Sequence, residues 1–350
     1  MTTMPVRYPF VTVIMPIRNE QNFIAQSLGA VLAQDYPADR MEVLVADGMS
    51  DDGTQAEVQR MAADDPRVRL LDNPGRIVPV GLNIALTQAH GEIVVRVDGH
   101  CVIAPDYVRR CVEHLESDGV DGVGGAMETI GADIPSQAVA LAMSSLFGVG
   151  GSAFRTVKNR RMLVETVPFP AYRMETIHRN GLFDEEMVRN QDDEYNYRLL
   201  KNGGRILLSP DIRSRYYSRS TLGKLWRQYF QYGYWKVRVL QKHPRQLRFR
   251  QFVPPVFVIG LVGSALLALL APAGNELLSK WLFLGISGAY LAVNLAASIQ
   301  VAAHNGWRYL LYLPLAFAIL HVAYGSGFLV GLVKFAGHWS RSPVVSRQGS

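Results

Sequence analysis

Residues 96–101 read RVDGHC and close the apolar run EIVV. A carboxylate, Asp98, and an imidazole, His100, stand two positions apart at the mouth of what the sequence marks as a buried strand. That pair suits a divalent cation and the phosphates it would carry, and it equally suits a polar turn. Further chemistry-bearing residues follow apolar runs in the same way: Asn19 and Glu20 after residues 10–16, Asp47 at the end of residues 41–47, Asn73 and Arg76 after residues 68–72. A second acidic group, Asp192, lies in NQDDEYNYRL, and Arg155, Lys158, Arg160 and Arg161 are gathered in the glycine-bearing stretch of residues 148–161, expected to be a mobile basic loop. Carboxylates repel phosphates, so a site of this composition calls for a cation between them. No GxGxxG follows the first apolar run, which speaks against a dinucleotide cofactor.

The elements that must position these residues are legible in the periodicity. FVTVIMP, MEVLVAD, VRLLD and EIVVRVD are near-continuous apolar strands, each followed by a segment whose apolar residues recur at helical spacing. Such alternation predicts an α/β fold with a parallel sheet covered on both faces, and ligands bind at the carboxyl ends of such strands. Residues 121–128 (DGVGGAME) read as a further strand in which Gly124 and Gly125 would permit close approach of a ligand. A helix over residues 193–201 and a short strand over residues 205–208 follow.

Residues 252–275, 281–303 and 309–333 contain no Asp, Glu, Lys or Arg, so three consecutive segments are long enough to cross a bilayer. The chain carries a net charge of +6, unevenly distributed: residues 1–204 hold 19 Lys and Arg against 28 Asp and Glu, and residues 205–250 hold 12 against Asp211 alone. A basic stretch beside a first membrane span points to an anionic inner leaflet or a lipid-linked phosphate rather than nucleic acid, and places the first domain on the cytoplasmic side of a bacterial-type inner membrane. Within that stretch, residues 221–243 carry a broad apolar stripe with Arg and Lys on the other faces, the pattern of a helix lying in a membrane interface. The expected organisation is a catalytic domain over residues 1–220, an interfacial helix and linker over 221–250, about three membrane helices over 251–335 and a tail over 336–350. Three spans put that tail outside, although Lys334, Arg341 and Arg347 favour the inside. Cys101 and Cys111, in no CxxC pair, read as packing residues of a reducing compartment.

Taken in order, VTVIMPIRNE, VLVADGMSDDGT, IVVRVDGH, GLFDEE with NQDDEYNYRL, and RQYFQYGYWK resemble the family 2 glycosyltransferases of the GT-A fold, most nearly the membrane-attached exopolysaccharide type of succinoglycan biosynthesis. The resemblance implies a nucleotide-sugar-binding sheet followed by membrane helices, and an inverting transfer of one sugar from a nucleotide sugar, most simply a UDP-sugar, to a polyprenyl-diphosphate-linked saccharide. It implies a donor site at Pro16, Arg18, Glu20, Asp47, Arg76, Asp98 and Gly125, with Asp47 on the nucleotide base, and a divalent cation, Mn or Mg, at Asp98 and His100. His100 stands where the family has a carboxylate, and an imidazole suits Mn better than Mg. The family's base falls on Asp192, and Gln191 in place of a glutamate should lower its tendency to hold a proton. Acceptor contacts are expected at Arg155, Arg161, Gln228 and Trp235. The absence of a clear QxxRW favours single addition over a processive synthase, and a non-catalytic nucleotide-sugar-binding scaffold is the alternative of a different kind.

Overall fold

A computed structural model describes residues 7–157, 159–218, 221–270 and 275–338, so Lys158, Arg341 and Arg347 lie outside the described residues. The chain divides into two compact units, one of Met1–Thr129 with Ala153–Tyr217, the other of Ile130–Ser152 with Ser218–Ser350. The stretch Ile130–Ser152, which falls inside the expected first domain, belongs to the second unit.

The first unit begins as the periodicity predicts: β1 (Val11–Ile17), α1 (Ile24–Leu32), β2 (Met41–Asp47), α2 (Thr54–Asp64), β3 (Val68–Asp72), α3 (Val78–Thr87) and β4 (Ile93–Arg96). Strands β1 to β4 pair parallel in the order β3-β2-β1-β4. All seven residues of β1 and of β2 are buried, because helices cover both faces. Val13 and Met15 enter one core with Leu28 and Val45, and Ile14 enters the other with Leu44 and Leu82.

Beyond β4 the expectation of a parallel sheet fails. The chain continues through β5 (Cys101–Ile103), α4 (Tyr107–Ser117), β6 (Gly122–Ile130), α5 (Ile134–Met143), α6 (Leu146–Val149), α7 (Ala153–Thr156), β7 (Met162–Leu163), β8 (Ala171–Arg173), α8 (Met174–Asn180), α9 (Gln191–Lys201) and β9 (Ile206–Tyr217). Among the described residues the sheet runs β3-β2-β1-β4-β8-β6-β9-β5, with β7 on β9. Strand β8 is antiparallel to both β4 and β6. A parallel neighbour needs a crossover element, whereas β8 is entered from the irregular passage of residues 164–170. The stretch of residues 148–161, expected as a loop, contains the end of α6 and the whole of α7. Strand β9 runs far past the expected residue 208, alternating buried Ile212, Ser214 and Tyr216 with exposed Arg213 and Arg215. Cys101 and Cys111 are free and buried, as expected of packing residues.

The second unit holds α5, α6, α10 (Leu222–Lys242), α11 (Val253–Leu270), α12 (Glu276–Asn305) and α13 (Leu313–Lys334). Among the described residues three stretches are long and apolar enough to cross a membrane: Phe249–Leu270, Leu277–Asn305 and Leu313–Lys334. Helix α10, expected at a membrane interface, packs its apolar stripe within the unit. Leu225, Tyr229, Gly233, Val237 and Leu240 of its stripe are buried, packed with residues of α13 such as Phe317, Leu320 and Phe328. Glycines set this closeness: a Cβ on Gly327 would sit 1.9 Å from the Phe230 carbonyl oxygen, and one on Gly233 2.0 Å from that of Tyr324. Small residues that let two backbones approach are the usual device for joining membrane helices.

Candidate active site

The turns after β1 and β2 are locked to each other. Asn19 Nδ2 donates to Asp51 Oδ1 at 2.9 Å and Asp51 N to Asn19 Oδ1 at 3.1 Å, while Asn19 N reaches Ser50 Oγ and Glu20 N reaches Thr54 Oγ1. Asn19, Met49, Arg76, Phe169 and Asn190 adopt left-handed φ between 46° and 61°. Asn19, Met49 and Asn190 stand beside candidates, Arg76 is one itself, and a non-glycine residue persists in that region only where its surroundings hold it.

Asp47 is fully buried and its carboxylate is spent inside its own turn: Ser50 N donates at 2.8 Å, Gln55 Nε2 at 2.6 Å, and Ser50 Oγ donates to the other oxygen. The family resemblance implies a contact of Asp47 with the nucleotide base; in this structure its oxygens accept from its own turn and from Gln55. Asp52 accepts from Thr54 N and Oγ1 and from Gln21 N; burial works to raise its pKa, but these bonds hold it below the ordinary value. Arg18 and Arg76 are exposed neighbours, Arg18 Nη1 donating to the Arg76 carbonyl at 3.4 Å. Two adjacent cations at a strand edge suit a diphosphate.

Asp98 and Asp192 are brought together by a residue that the sequence reading passed over. Arg96, the last residue of β4, is only 8% exposed. Its Nε donates to Asp98 Oδ1 at 2.9 Å and its Nη2 to Asp98 Oδ2 at 3.2 Å. Burial disfavours the guanidinium cation, yet the charges of Asp98 and Asp192 more than offset this and raise its pKa. An arginine ending an otherwise apolar strand was the available signal.

Asp192 lies in the first turn of α9, accepting from Asp193 N at 3.0 Å. Its pKa is raised, by burial first, with Arg96 opposing and the charges of Asp193 and Asp98 adding. Gln191 spares Asp192 one further negative neighbour, but burial still raises its pKa overall. A carboxylate with a raised pKa is a better proton acceptor, as a general base requires.

His100 Nδ1–H donates to Glu20 Oε1 at 2.7 Å, and its ring meets Tyr216 edge-on at 4.9 Å. Arg155 reaches the same neighbourhood: its guanidinium lies 6.0 Å from the Tyr216 ring centre while Nη1 donates to Thr129 Oγ1 at 2.8 Å. A divalent cation fits Asp98 and His100 on one condition. Among the described residues no three His, Cys, Asp or Glu side chains gather around one point, so a diphosphate and water would have to complete the coordination.

The remaining candidates have other employment. Pro16 is buried within β1, in register with Ala46. Gly125 makes room for β9, since a Cβ there would lie 1.7 Å from the Ile212 carbonyl oxygen. Arg161 pairs with Asp118, which also binds His114, whose other ring nitrogen meets Asp211 at 3.0 Å. Gln228 Nε2 donates to Tyr232 Oη within α10, and Trp235 packs 5.5 Å from Phe335, both in the second unit.

Comparison with known proteins gives concordant matches. The family model described as glycosyl transferase family 2 matches residues 12–182. Succinoglycan biosynthesis protein ExoA of Rhizobium meliloti is 32% identical over 92% of this chain and 95% of its own length. The dolichyl N-acetyl-α-D-glucosaminyl phosphate 3-β-D-2,3-diacetamido-2,3-dideoxy-β-D-glucuronosyltransferase of Methanococcus voltae is 25% identical over 93% of this chain and 98% of its own. The solved mannosyltransferase PcManGT of Pyrobaculum calidifontis, in complex with GDP-Man and Mn2+, shares the fold with a TM-score of 0.59 and 24% identity, covering 94% of this chain and 88% of that one.

Proposed function

We propose, from the premise that this chain belongs to glycosyl transferase family 2 and is a glycosyltransferase of the GT-A fold, that it transfers one sugar, with inversion, from a nucleotide sugar to a lipid-linked saccharide during polysaccharide assembly. The observation that carries this reading is the charged group at the end of β4, where Arg96 answers both Asp98 and Asp192. The acceptor hydroxyl attacks the sugar C1, the C1–O bond to the diphosphate breaks, and the hydroxyl proton passes to the Asp192 carboxylate. Arg18 and Arg76 are the donor-side cations for the diphosphate. Asp98 and His100 would hold a divalent cation, Mn in preference to Mg, which when bound supplies neutralising charge to the leaving diphosphate.

A UDP-sugar donor and a polyprenyl diphosphate carrier rest on the family resemblance; a lipid-linked acceptor is also supported by the relatives' named activities, succinoglycan biosynthesis and transfer to a dolichyl-phosphate-linked sugar. Three apolar helices in the same chain support a membrane location, with the first unit on the cytoplasmic side of an inner membrane as the corresponding proposal. A tethered enzyme meets a lipid-anchored acceptor at raised effective concentration.

The test is transfer of radiolabelled sugar from a panel of nucleotide sugars to extracted lipid-linked acceptors. The full chain should form a glycolipid and release nucleoside diphosphate. Asp192→Asn should bind the donor as the wild type does and transfer none of it. Full transfer by Asp192→Asn would remove the base assignment, and donor binding without any transfer by the wild type would favour the scaffold reading.

A further inference from the structure

We infer that Glu20 is a positioning residue for His100, fixing that imidazole so that its Nε2 meets the cation that the donor diphosphate brings. This rests on the reading of Asp98 and His100 as cation ligands, and it replaces the donor-contact role that the sequence implied for Glu20.

Four observations meet at this pair. The His100 Nδ1–H bond to Glu20 Oε1 is 2.7 Å long, with the two side chains only 13% and 15% exposed. In a neutral ring this bond puts the proton on Nδ1, and Nε2, which has no hydrogen-bond partner among the described residues, then keeps its lone pair for a ligand. The intervening turn is built to bring the two together: Cys101 N closes on the Asp98 carbonyl, and a Cβ on Gly99 would fall 2.9 Å from both Glu20 Cγ and Ile17 Cγ2. Tyr216, edge-on to the ring, restrains it from the other side. Glu20 is itself held by its backbone, since its N–H donates to Thr54 Oγ1 and its carbonyl accepts from Phe23 N and Ile24 N at the start of α1.

A carboxylate behind a metal-binding histidine fixes the ring's tautomer and orientation and raises its basicity, and removing such a partner typically costs about 10–100-fold in metal affinity. The pair explains how a histidine stands where the family resemblance expects an acid. Glu20 donates its negative charge through the imidazole, so the cation still faces an anionic ligand system.

The experiment uses the full chain in detergent and measures nucleotide affinity by calorimetry, with UDP and with GDP as probes, in Mn2+ and in EDTA. Mn2+ is followed separately by its electron paramagnetic resonance signal. In the wild type, Mn2+ should strengthen binding of the preferred nucleotide. Glu20→Ala should lose about 10–100-fold of the Mn2+ affinity in the ternary complex and keep the wild-type affinity in EDTA. Glu20→Gln, which still accepts from Nδ1–H, should lose less, and Glu20→Ala combined with His100→Ala should be no weaker than His100→Ala alone. A fall in the EDTA affinity of Glu20→Ala equal to its fall in Mn2+ would return Glu20 to direct donor contact. Wild-type Mn2+ affinity in Glu20→Ala, with the effect abolished in His100→Ala, would overturn the positioning role and leave the cation site standing. No loss in His100→Ala, or no Mn2+ effect in the wild type, would instead overturn the cation reading beneath it. Thermal melts of each variant, matched to the wild type, exclude misfolding as the cause.

Discussion

Two buried polar clusters, one from each unit, are held in opposite ways. At the end of β4 the buried groups are ionic, with the Arg96 guanidinium bonded to Asp98 and facing the charge of Asp192. In the helical unit they are held by uncharged partners: Asn294 Nδ2 donates to the Pro314 carbonyl and towards Tyr290 Oη, Tyr290 Oη bonds His321 Nδ1, His321 Nε2–H donates to the Phe147 carbonyl, and Ser298 Oγ donates to the Asn294 carbonyl. Desolvated charges are costly and so are assembled where they do chemistry; hydrogen-bonded neutral groups are what an apolar bundle tolerates. On the proposed reading, the cluster at the end of β4 gives up stability for a reaction, whereas the cluster around Asn294 serves cohesion.

The sharpest way to break this comparison is at Asp192. Its pKa is raised in the fold, so the carboxylate is most favourable to folding when protonated at low pH, and its ionised form above the folded pKa is a burden on stability. Asp192→Asn should therefore lower kcat by about 10²–10⁴-fold while leaving the melting temperature at neutral pH equal to or above that of the wild type. In the wild type, kcat/KM should fall as pH drops through that raised pKa, with its acid limb above the ordinary aspartate range. A variant that loses activity and melts earlier would show that Asp192 is cohesive rather than reactive.

Arg96 tests the same cluster from its cationic side. Arg96→Met leaves two carboxylates facing each other with no counter-charge, and removing one partner of a buried ion pair costs about 3–5 kcal/mol. Urea unfolding of the first unit should register that loss, and adding Asp98→Asn and Asp192→Asn to Arg96→Met should recover most of the stability and none of the activity. A stable Arg96→Met single variant would show that the carboxylates do not depend on it.

How far the sequence foretold these features depends on the distance over which each is decided. Asp98 and His100 are conspicuous because an acid and an imidazole follow an apolar run, Asp192 is singled out only by the family resemblance, and β1 to β4 are legible because each strand declares itself in seven residues or fewer. Arg96 is not, because its partner Asp192 comes from 96 positions along the chain. Gly125 invited a ligand until β9 supplied the neighbouring carbonyl. The length of β9 was hidden by Pro210 and Asp211 in its middle, although the alternation from Ile212 to Tyr216 was there to be read. Helix α10 has the composition of a membrane-surface helix, and only α13, some 90 residues later, says what covers its stripe.

That covered stripe gives a smaller effect confined to the second unit. Gly327→Ala inserts a methyl group 1.9 Å from the Phe230 carbonyl oxygen, so α10 and α13 must part. Overpacking of this kind costs about 1–3 kcal/mol. Thermal unfolding in micelles should reveal the loss, and nucleotide affinity should remain that of the wild type, since every residue placed at the donor edge lies in the first unit.

The smallest effect is expected at Asn294, which is 2% exposed and bonds both Pro314 and Tyr290. In a water-soluble core, removing a buried amide that satisfies two partners would cost about 1–3 kcal/mol, because a group is left without a bond. Between membrane helices the loss is smaller, on average about 0.6 kcal/mol and at most about 1.7, because the separated helices also find internal partners in lipid. Asn294→Leu, of the same branched shape, should therefore shift the SDS-induced unfolding of the bundle by that small amount and leave transfer unaffected. A loss matching that of Arg96→Met would mean that the hydrogen-bonded chain from Asn294 to Phe147 holds its unit as strongly as buried charge holds the site, and the division between a reactive unit and a cohesive one would no longer describe this protein.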